Sequence, residues 1–185
     1  VQGCDIWDVQ NTGAYTNIST VDNVPISNTT CTLCGQCITH CPTGALKERN
    51  DLPEIYDILA DPNKVTVVQI APAVRTAWLE RKDMEPGIDT EGRLVAALKR
   101  MGFDYVLDTV FAADVTIMEE GTELLERLSD NKKMPMFTSC CPGWVSYLTM
   151  NHPEMLLNLS TTKSPQQIFG ALVKTYFAKK TGVAP

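Results

Sequence analysis

The chain has 185 residues, 44% hydrophobic and 21% charged, with a net charge of −6 at neutral pH. That length buries a real core and fits one domain with a small appendage. The acidic balance argues against non-specific nucleic-acid binding, and no apolar run approaches the roughly 18 residues that would read as a membrane span.

Residues 1–30 are rich in Asn, Thr, Ser and Asp and lack sustained periodicity. Short strands and loops around a cluster are expected there. The start, Val1-Gln2-Gly3-Cys4, reads as the middle of a longer protein, so the lack of a signal-peptide pattern says little about location. Residues 31–50 carry a dense cysteine run. Asp51-Leu52-Pro53 and Ala60-Asp61-Pro62-Asn63 then bracket a short amphipathic helix bearing Ile55, Ile58 and Leu59.

From residue 65 the texture changes. Val65-Thr66-Val67-Val68-Gln69-Ile70 is a near-continuous β-branched run, the pattern of a buried strand in a parallel sheet. Asp89-Thr90 can cap a helix with Leu94, Val95 and Leu98 on one stripe, and Gly102 supplies its stop. Tyr105-Val106-Leu107 reads as a second strand, Asp114 to Leu128 as a long helix, and Met134-Pro135-Met136-Phe137 as a third, short strand. Helices near 142–150 and 165–180 follow. Strand–helix alternation implies parallel pairing, with ligands gathering beyond the carboxyl ends of the strands. Three loops are expected to converge there: Ala71-Pro72-Ala73, Phe111-Ala112-Ala113-Asp114 and Thr138-Ser139-Cys140-Cys141. The fold class is α/β, a parallel sheet with flanking helices. Residues 1–50 form a partial ferredoxin-like iron–sulfur segment, and residues 51–185 the second domain.

Seven cysteines, four of them packed into residues 31–41, are an odd count on an otherwise ordinary α/β sequence. Metal ligation in a reducing compartment explains that better than disulfides do. Cys31-x-x-Cys34-x-x-Cys37-x-x-x-Cys41-Pro42 has the bacterial 4Fe–4S spacing, in which three thiolates wrap one cubane and the fourth serves a second cluster. A zinc knuckle would use two spaced pairs instead. The fourth ligand of the first cluster is then expected upstream of Val1, with Cys4 as the local candidate. An unrelated buried cysteine is the blander reading of Cys4.

Cys140 and Cys141 lie just before Pro142, a helix-starting residue, so two thiols sit beside a helix N-terminus whose dipole favours thiolate. Pro135-Met136-Phe137-Thr138-Ser139-Cys140-Cys141-Pro142-Gly143-Trp144 resembles the first signature segment of the iron-only (di-iron) hydrogenases. The similarity extends to Ile70–Arg75, Ala113–Glu120 and Lys163–Gly170, and with the cysteine run it covers essentially the whole chain.

The resemblance implies an active centre, the H-cluster, in which a cubane is joined through a cysteine sulfur to a di-iron unit with CO, cyanide and a dithiolate bridge. It implies that Cys141 ligates the cubane and that Cys140 passes protons to and from the bridge. Glu120, Glu123 and Ser160 are similar to the proton path, Pro72 and Ala73 to the loop holding one cyanide, and Gln166 to a residue near the di-iron unit. Some members have Ser where Ala73 stands. Independently, Glu120 and Glu123 are three apart on a helix and share a face, and a thiol with pKa of about 8.5 can relay protons. On spacing alone, Glu119, Glu120 and Glu123 would read as a solvated helix face. Met118, Met134 and Met136 read as core filler.

The implied reaction is reversible H₂ oxidation and proton reduction, with electrons relayed through 4Fe–4S clusters to ferredoxin or an NAD(P)-linked partner. The implied location is the cytoplasm of an anaerobe, with hydrogenosome and periplasm left open. Two further cysteine segments, carrying three cubane ligands and a lysine, are expected past Pro185, so these 185 residues alone are expected to be inactive. Three rival readings stand beside this one: a non-catalytic iron–sulfur assembly relative, an H₂ sensor and a plain electron-transfer ferredoxin. Assembly relatives generally lack the proton-relay cysteine, sensors tend to lose proton-path residues, and a plain ferredoxin leaves the α/β region without purpose.

Overall fold

The structure is a computed structural model that describes residues 3–78, 90–130 and 133–184. In chain order it contains strands β1 (Trp7–Gln10) and β2 (Asn17–Thr20), helices α1 (Gln36–His40) and α2 (Leu52–Ala60), and strand β3 (Val67–Ile70). Helices α3 (Pro72–Trp78) and α4 (Thr90–Arg100), strand β4 (Tyr105–Asp108) and helix α5 (Val110–Ser129) follow. Then come α6 (Pro142–Asn151), α7 (Pro165–Leu172) and α8 (Ala178–Thr181). Contacts gather into two units: residues 1–48 with 126–161, and residues 49–125 with 162–185.

In the second unit β3 and β4 pair in parallel, Val67 against Tyr105 through Ile70 against Asp108, as the β-branched runs predict. The core comprises Ile70, Leu94, Ala112, Phe169 and Ala178. Asp104 fixes the register where β4 begins. Its carboxylate accepts from the Thr66 N–H at 2.7 Å and the Thr66 hydroxyl at 3.0 Å, and its own N–H donates back to that hydroxyl at 3.0 Å. Tyr105 meets Phe177 edge to face at 4.9 Å between centroids. Between α7 and α8 the rod makes a wider turn over Val173–Phe177, where the Ala178 N–H reaches back to the Val173 carbonyl. The helix expected over 165–180 is thus continuous from Pro165 to Thr181, with this wider segment inside it.

Two of the three expected loops are helix starts. Pro72 opens α3 directly after β3, because its missing N–H is an orphan at a first helical turn in any case. Helix α5 begins at Val110 rather than Asp114, with the Val110 N–H bound to Asp108 Oδ1 at 2.9 Å. The strand-end Asp starts the helix, so no loop is needed. Asp89, the expected cap of α4, lies outside the described residues.

In the first unit β1 and β2 form an antiparallel hairpin. The expected third strand is reduced to one parallel bridge, Phe137 to Leu159, with N–H···O distances of 2.8 Å (Phe137 to Asn158) and 2.7 Å (Ser160 to Phe137). Arg127 holds this bridge in place. The residue is 8% exposed, and its guanidinium donates to the carbonyls of Lys133, Leu157, Asn158 and Leu159 at 2.6–3.5 Å. Leu148 of α6, 1% exposed, is the apolar residue buried most deeply in this unit, and its buried companions Thr20, Thr32, Arg127 and Ser160 are polar. Phe137 meets Trp144 edge to face at 5.9 Å, and Trp144 stacks with Tyr147 at 6.3 Å.

Candidate iron–sulfur and proton-transfer site

The cysteine loop owes its shape to two left-handed residues, Leu33 (φ 57°) and Gly35 (φ 74°), the second at the start of α1. The turn brings backbone N–H groups toward sulfur: Leu33 N–H lies 3.4 Å from Cys31 Sγ. The Cys34 thiol is held below its ordinary pKa, first by the Gln36 N–H and then by the Thr32 hydroxyl, against some desolvation. Cys41 falls to about 6 through the Thr43 hydroxyl and the N–H groups of Leu46, Thr43 and Ala45. Thiolate is the ligating form, so this donor set favours metal binding. Cys31, Cys34 and Cys37 line one cavity of about 500 Å³, together with Cys4 and without Cys41. Among the described residues no three His, Cys, Asp or Glu side chains converge as a single ion requires. A cubane instead carries one thiolate on each of four irons, so its ligands stand apart. The residues present fit a 4Fe–4S cluster.

Cys141 is the residue before α6, its carbonyl accepting the Val145 N–H at 3.0 Å, and both it and Cys140 are exposed. The segment reaches the cysteine loop through Gly143. A Cβ there would lie 3.0 Å from the Thr32 carbonyl oxygen and 3.9 Å from Cys141 Sγ, and Thr32 is 3% exposed. Any larger residue there would press on the Thr32 carbonyl, which would have to give by a few tenths of an ångström. As a result Cys34 and Cys141, a hundred residues apart, face one cavity of about 700 Å³ walled by Thr32, Pro142, Trp144 and Tyr147. The 6%-exposed Ser160 follows the Phe137–Leu159 bridge in the same unit.

The remaining expected residues belong to the second unit. Glu119 is exposed, whereas Glu120 and Glu123 are half-buried on α5. Oε1 of Glu120 is buried with no hydrogen-bond partner among the described residues, which a solvated helix face would not produce. Met118 and Met134, read as core filler, are exposed instead. Pro72 and Ala73 are exposed in the first turn of α3, and Gln166 is exposed in the first turn of α7. Ser164 and Gln167 form a reciprocal cap there that fixes where α7 begins. Arg75 ties α3 to the end of β4, pairing with Asp108 at 3.1 Å and Glu91 at 3.3 Å. The acid pair and the thiol pair thus lie in different units.

Sequence reasoning missed three features: the Arg127 clamp, the Arg75–Asp108 pair and the role of Gly143. A lone Arg in the last turn of a long helix reads as an ordinary dipole partner. The Gly143 contact leaves no local trace, because its partner is in the cysteine loop. Asp108 at a strand end before a helix was the one legible signal.

Residues 64–185 match the family described as iron only hydrogenase large subunit, C-terminal domain, and residues 24–47 match the 4Fe-4S binding domain. The NADP-reducing hydrogenase subunit HndD of Solidesulfovibrio fructosivorans is 48% identical over 99% of this chain and 32% of its own length. Iron hydrogenase 1 of Clostridium pasteurianum is 46% identical over 78% of this chain and 25% of its own. The bovine (Bos taurus) cytosolic iron-sulfur assembly component 3 is 29% identical over 96% of this chain and 40% of its own. Among solved structures, an apo variant of the FeFe-hydrogenase HydA1 from Chlamydomonas reinhardtii superposes with a TM-score of 0.67 at 46% identity, covering 74% of this chain and 36% of that one. The chain thus spans a quarter to two-fifths of the length of these relatives. No helix among the described residues is long and apolar enough to cross a membrane. An α/β unit with a parallel strand pair, a cysteine run in cluster-binding form and a family match over 122 residues lead to one assignment: the chain belongs to the iron-only hydrogenases, a family of iron–sulfur oxidoreductases.

Proposed function

We propose that this chain is the relay-proximal part of an enzyme that interconverts H₂ with protons and electrons. The observation that supports it best is the shared cavity of Cys34 and Cys141. A relay cluster on the cysteine run and a cubane on Cys141 would then be neighbours in one packed unit. When bound, the H-cluster supplies the metal and redox chemistry of heterolytic H₂ cleavage, which no side chain has.

The chain's own residues take the other tasks. Cys31, Cys34 and Cys37 hold the relay cluster, and Cys41, in its separate donor nest, serves another. Cys141 holds the cubane at the positive end of α6. Cys140, exposed beside Cys141 at the start of α6, accepts and returns the proton. Glu120 and Glu123, half-buried on one face, extend the path, and the orphaned Glu120 oxygen has acceptor capacity for a passing proton. Ser160 is a hydroxyl step. With the group bound, Pro72 and Ala73 would hold one cyanide, with no side-chain hydroxyl from Ala73, and Gln166 would be a residue near the di-iron unit. Residues 51–185 form part of the catalytic domain and residues 1–50 part of a ferredoxin-like one. Electrons pass to ferredoxin or to an NADP-linked partner like that of the 48%-identical relative, in the cytoplasm of an anaerobe.

A second reading has its own support, because the assembly components cover nearly all of this chain. Cys140→Ser in the complete protein separates the two. Under the hydrogenase reading it lowers both H₂ evolution and H₂ uptake by roughly 10²–10⁴-fold, the usual worth of a general acid–base, while iron content is retained. Unchanged turnover overturns the role of Cys140. An unaltered protein that holds clusters yet neither makes nor consumes H₂ favours the assembly reading.

A further inference from the structure

We propose that Arg75 and Asp108 form a positioning pair that holds the first turn of α3, with Pro72 and Ala73, against the carboxyl end of β4. This rests on the reading that the turn holds a ligand of the di-iron unit, and it adds the groups that set where the turn stands.

Helix α3 spans seven residues, too few to persist without tertiary support. It has no fully buried side chain, and Pro72, Ala73, Val74, Thr76 and Ala77 are exposed. Among its residues only Arg75 and Trp78, three apart on one face, are half-buried. The position of α3 therefore depends on what those two side chains grip. Arg75, its side chain 25% exposed, donates through Nη1 to Asp108 Oδ2 at 3.1 Å and to Glu91 Oε1 at 3.3 Å.

Asp108 is the firmer of the two partners. It ends β4, which the parallel ladder holds against β3, and its other oxygen accepts the Val110 N–H at 2.9 Å where α5 begins. Thr109, next to it, is 8% exposed; its N–H donates to the Ile70 carbonyl and its hydroxyl to Gln69 Oε1, each at 3.1 Å. A carboxylate held this way has little freedom left, so it is a fixed post for the guanidinium. Glu91 is 56% exposed on α4, and an ion pair of that kind contributes little. One carboxylate thus joins the start of α5, which carries Glu120 and Glu123, to the helix that opens with Pro72 and Ala73. Arg75 lies about one turn after Pro72, so the first turn moves with its anchor.

The test uses the complete protein with its active centre assembled, read by the infrared stretching bands of the iron-bound cyanides and by H₂ turnover. Arg75→Met and Asp108→Asn are each expected to shift one cyanide band and leave the other in place. Turnover is expected to fall by roughly 10²-fold, the usual effect of a displacement of about 1 Å. Asparagine keeps an oxygen for the Val110 N–H, so the start of α5 is preserved. The double variant is expected to do no more than either single one, because both cut the same tie. Arg75→Lys, which keeps the charge, is expected to bring the band back, and Glu91→Gln to leave it unshifted. Unshifted bands in both single variants, or additive effects in the double one, overturn the proposal. Should a variant fail to assemble the centre, hydrogen exchange in the 185-residue chain decides. The Val74 and Arg75 amides, both bonded to the Ala71 carbonyl, are then expected to exchange about tenfold faster in both variants, with Val106 of β4 unchanged. Unchanged exchange at Val74 and Arg75 overturns the proposal, and so does loss of protection at Val106 as well, which makes the pair a support of the whole unit. An unaltered protein without cyanide bands refutes the reading of the centre itself, which is distinguishable from bands that are present and do not move.

Discussion

Replacing Gly143 with Ala tests whether the two cysteine segments are packed as the structure places them. Two opposing effects act. Ala gains about 1 kcal/mol over Gly inside a helix. The new methyl, however, starts 3.0 Å from the Thr32 carbonyl oxygen, and Thr32 is 3% exposed and held in a tight loop. Overpacking of that kind costs roughly 1–3 kcal/mol. Gly121, inside α5, is the internal reference, because a Cβ there meets nothing within 4 Å. Gly143 is the second residue of α6, where the helix gain is no larger than at Gly121 in the middle of α5, so Gly143→Ala is expected to be less stable than Gly121→Ala by at least about 1–3 kcal/mol. For a chain of this size each kcal/mol shifts the midpoint by about 2–4 °C. Urea titration followed by circular dichroism, with Trp144 fluorescence as a reporter beside the contact, measures the difference. If Gly143→Ala stabilises as much as Gly121→Ala does, the close approach of the two segments is wrong, and with it the shared cavity on which the functional proposal leans.

Arg127→Met keeps much of the side-chain volume but removes the guanidinium from four carbonyls, of which Asn158 keeps the Phe137 N–H. Each buried group left unpaired costs about 1–3 kcal/mol, so the first unit is expected to lose cooperative unfolding while the second persists, as read by hydrogen exchange at Ser160 against Val106. Asp104 gives the pH dependence. Its folded pKa is depressed by the Thr66 N–H and hydroxyl, so its contribution is present above the unfolded value of about 3.9 and is lost as pH falls through the folded pKa. Asp104→Asn is expected to flatten stability against pH below about 4 in urea titrations, and an unchanged acid limb would refute the assignment. Loading iron and sulfide is expected to slow proteolysis of the first unit selectively, because metal ligation adds folding free energy where Leu148 is the most deeply buried apolar side chain. The 185-residue chain, so loaded, is expected to evolve no H₂ from reduced viologen; sustained turnover would contradict it.

Local chemistry was legible in the chain itself. The 31–41 spacing, the β-branched run ending at Ile70, the Gly102 stop and Pro142 after two cysteines each act over a few residues, through turn geometry, strand preference and helix initiation. The strand pair and α6 emerged where those signals stood. What pairs with what depended on tertiary packing. Phe137 enters a single bridge rather than a strand because Arg127, from the end of another element, takes up the neighbouring carbonyls. Cys4 joins the surroundings of the cysteine run through the Thr30 hydroxyl on its carbonyl, and Cys141 through the close approach of Gly143 to Thr32. Such contacts depend on shape and on unsatisfied donors at points remote along the chain, so no window of sequence contains both halves of them.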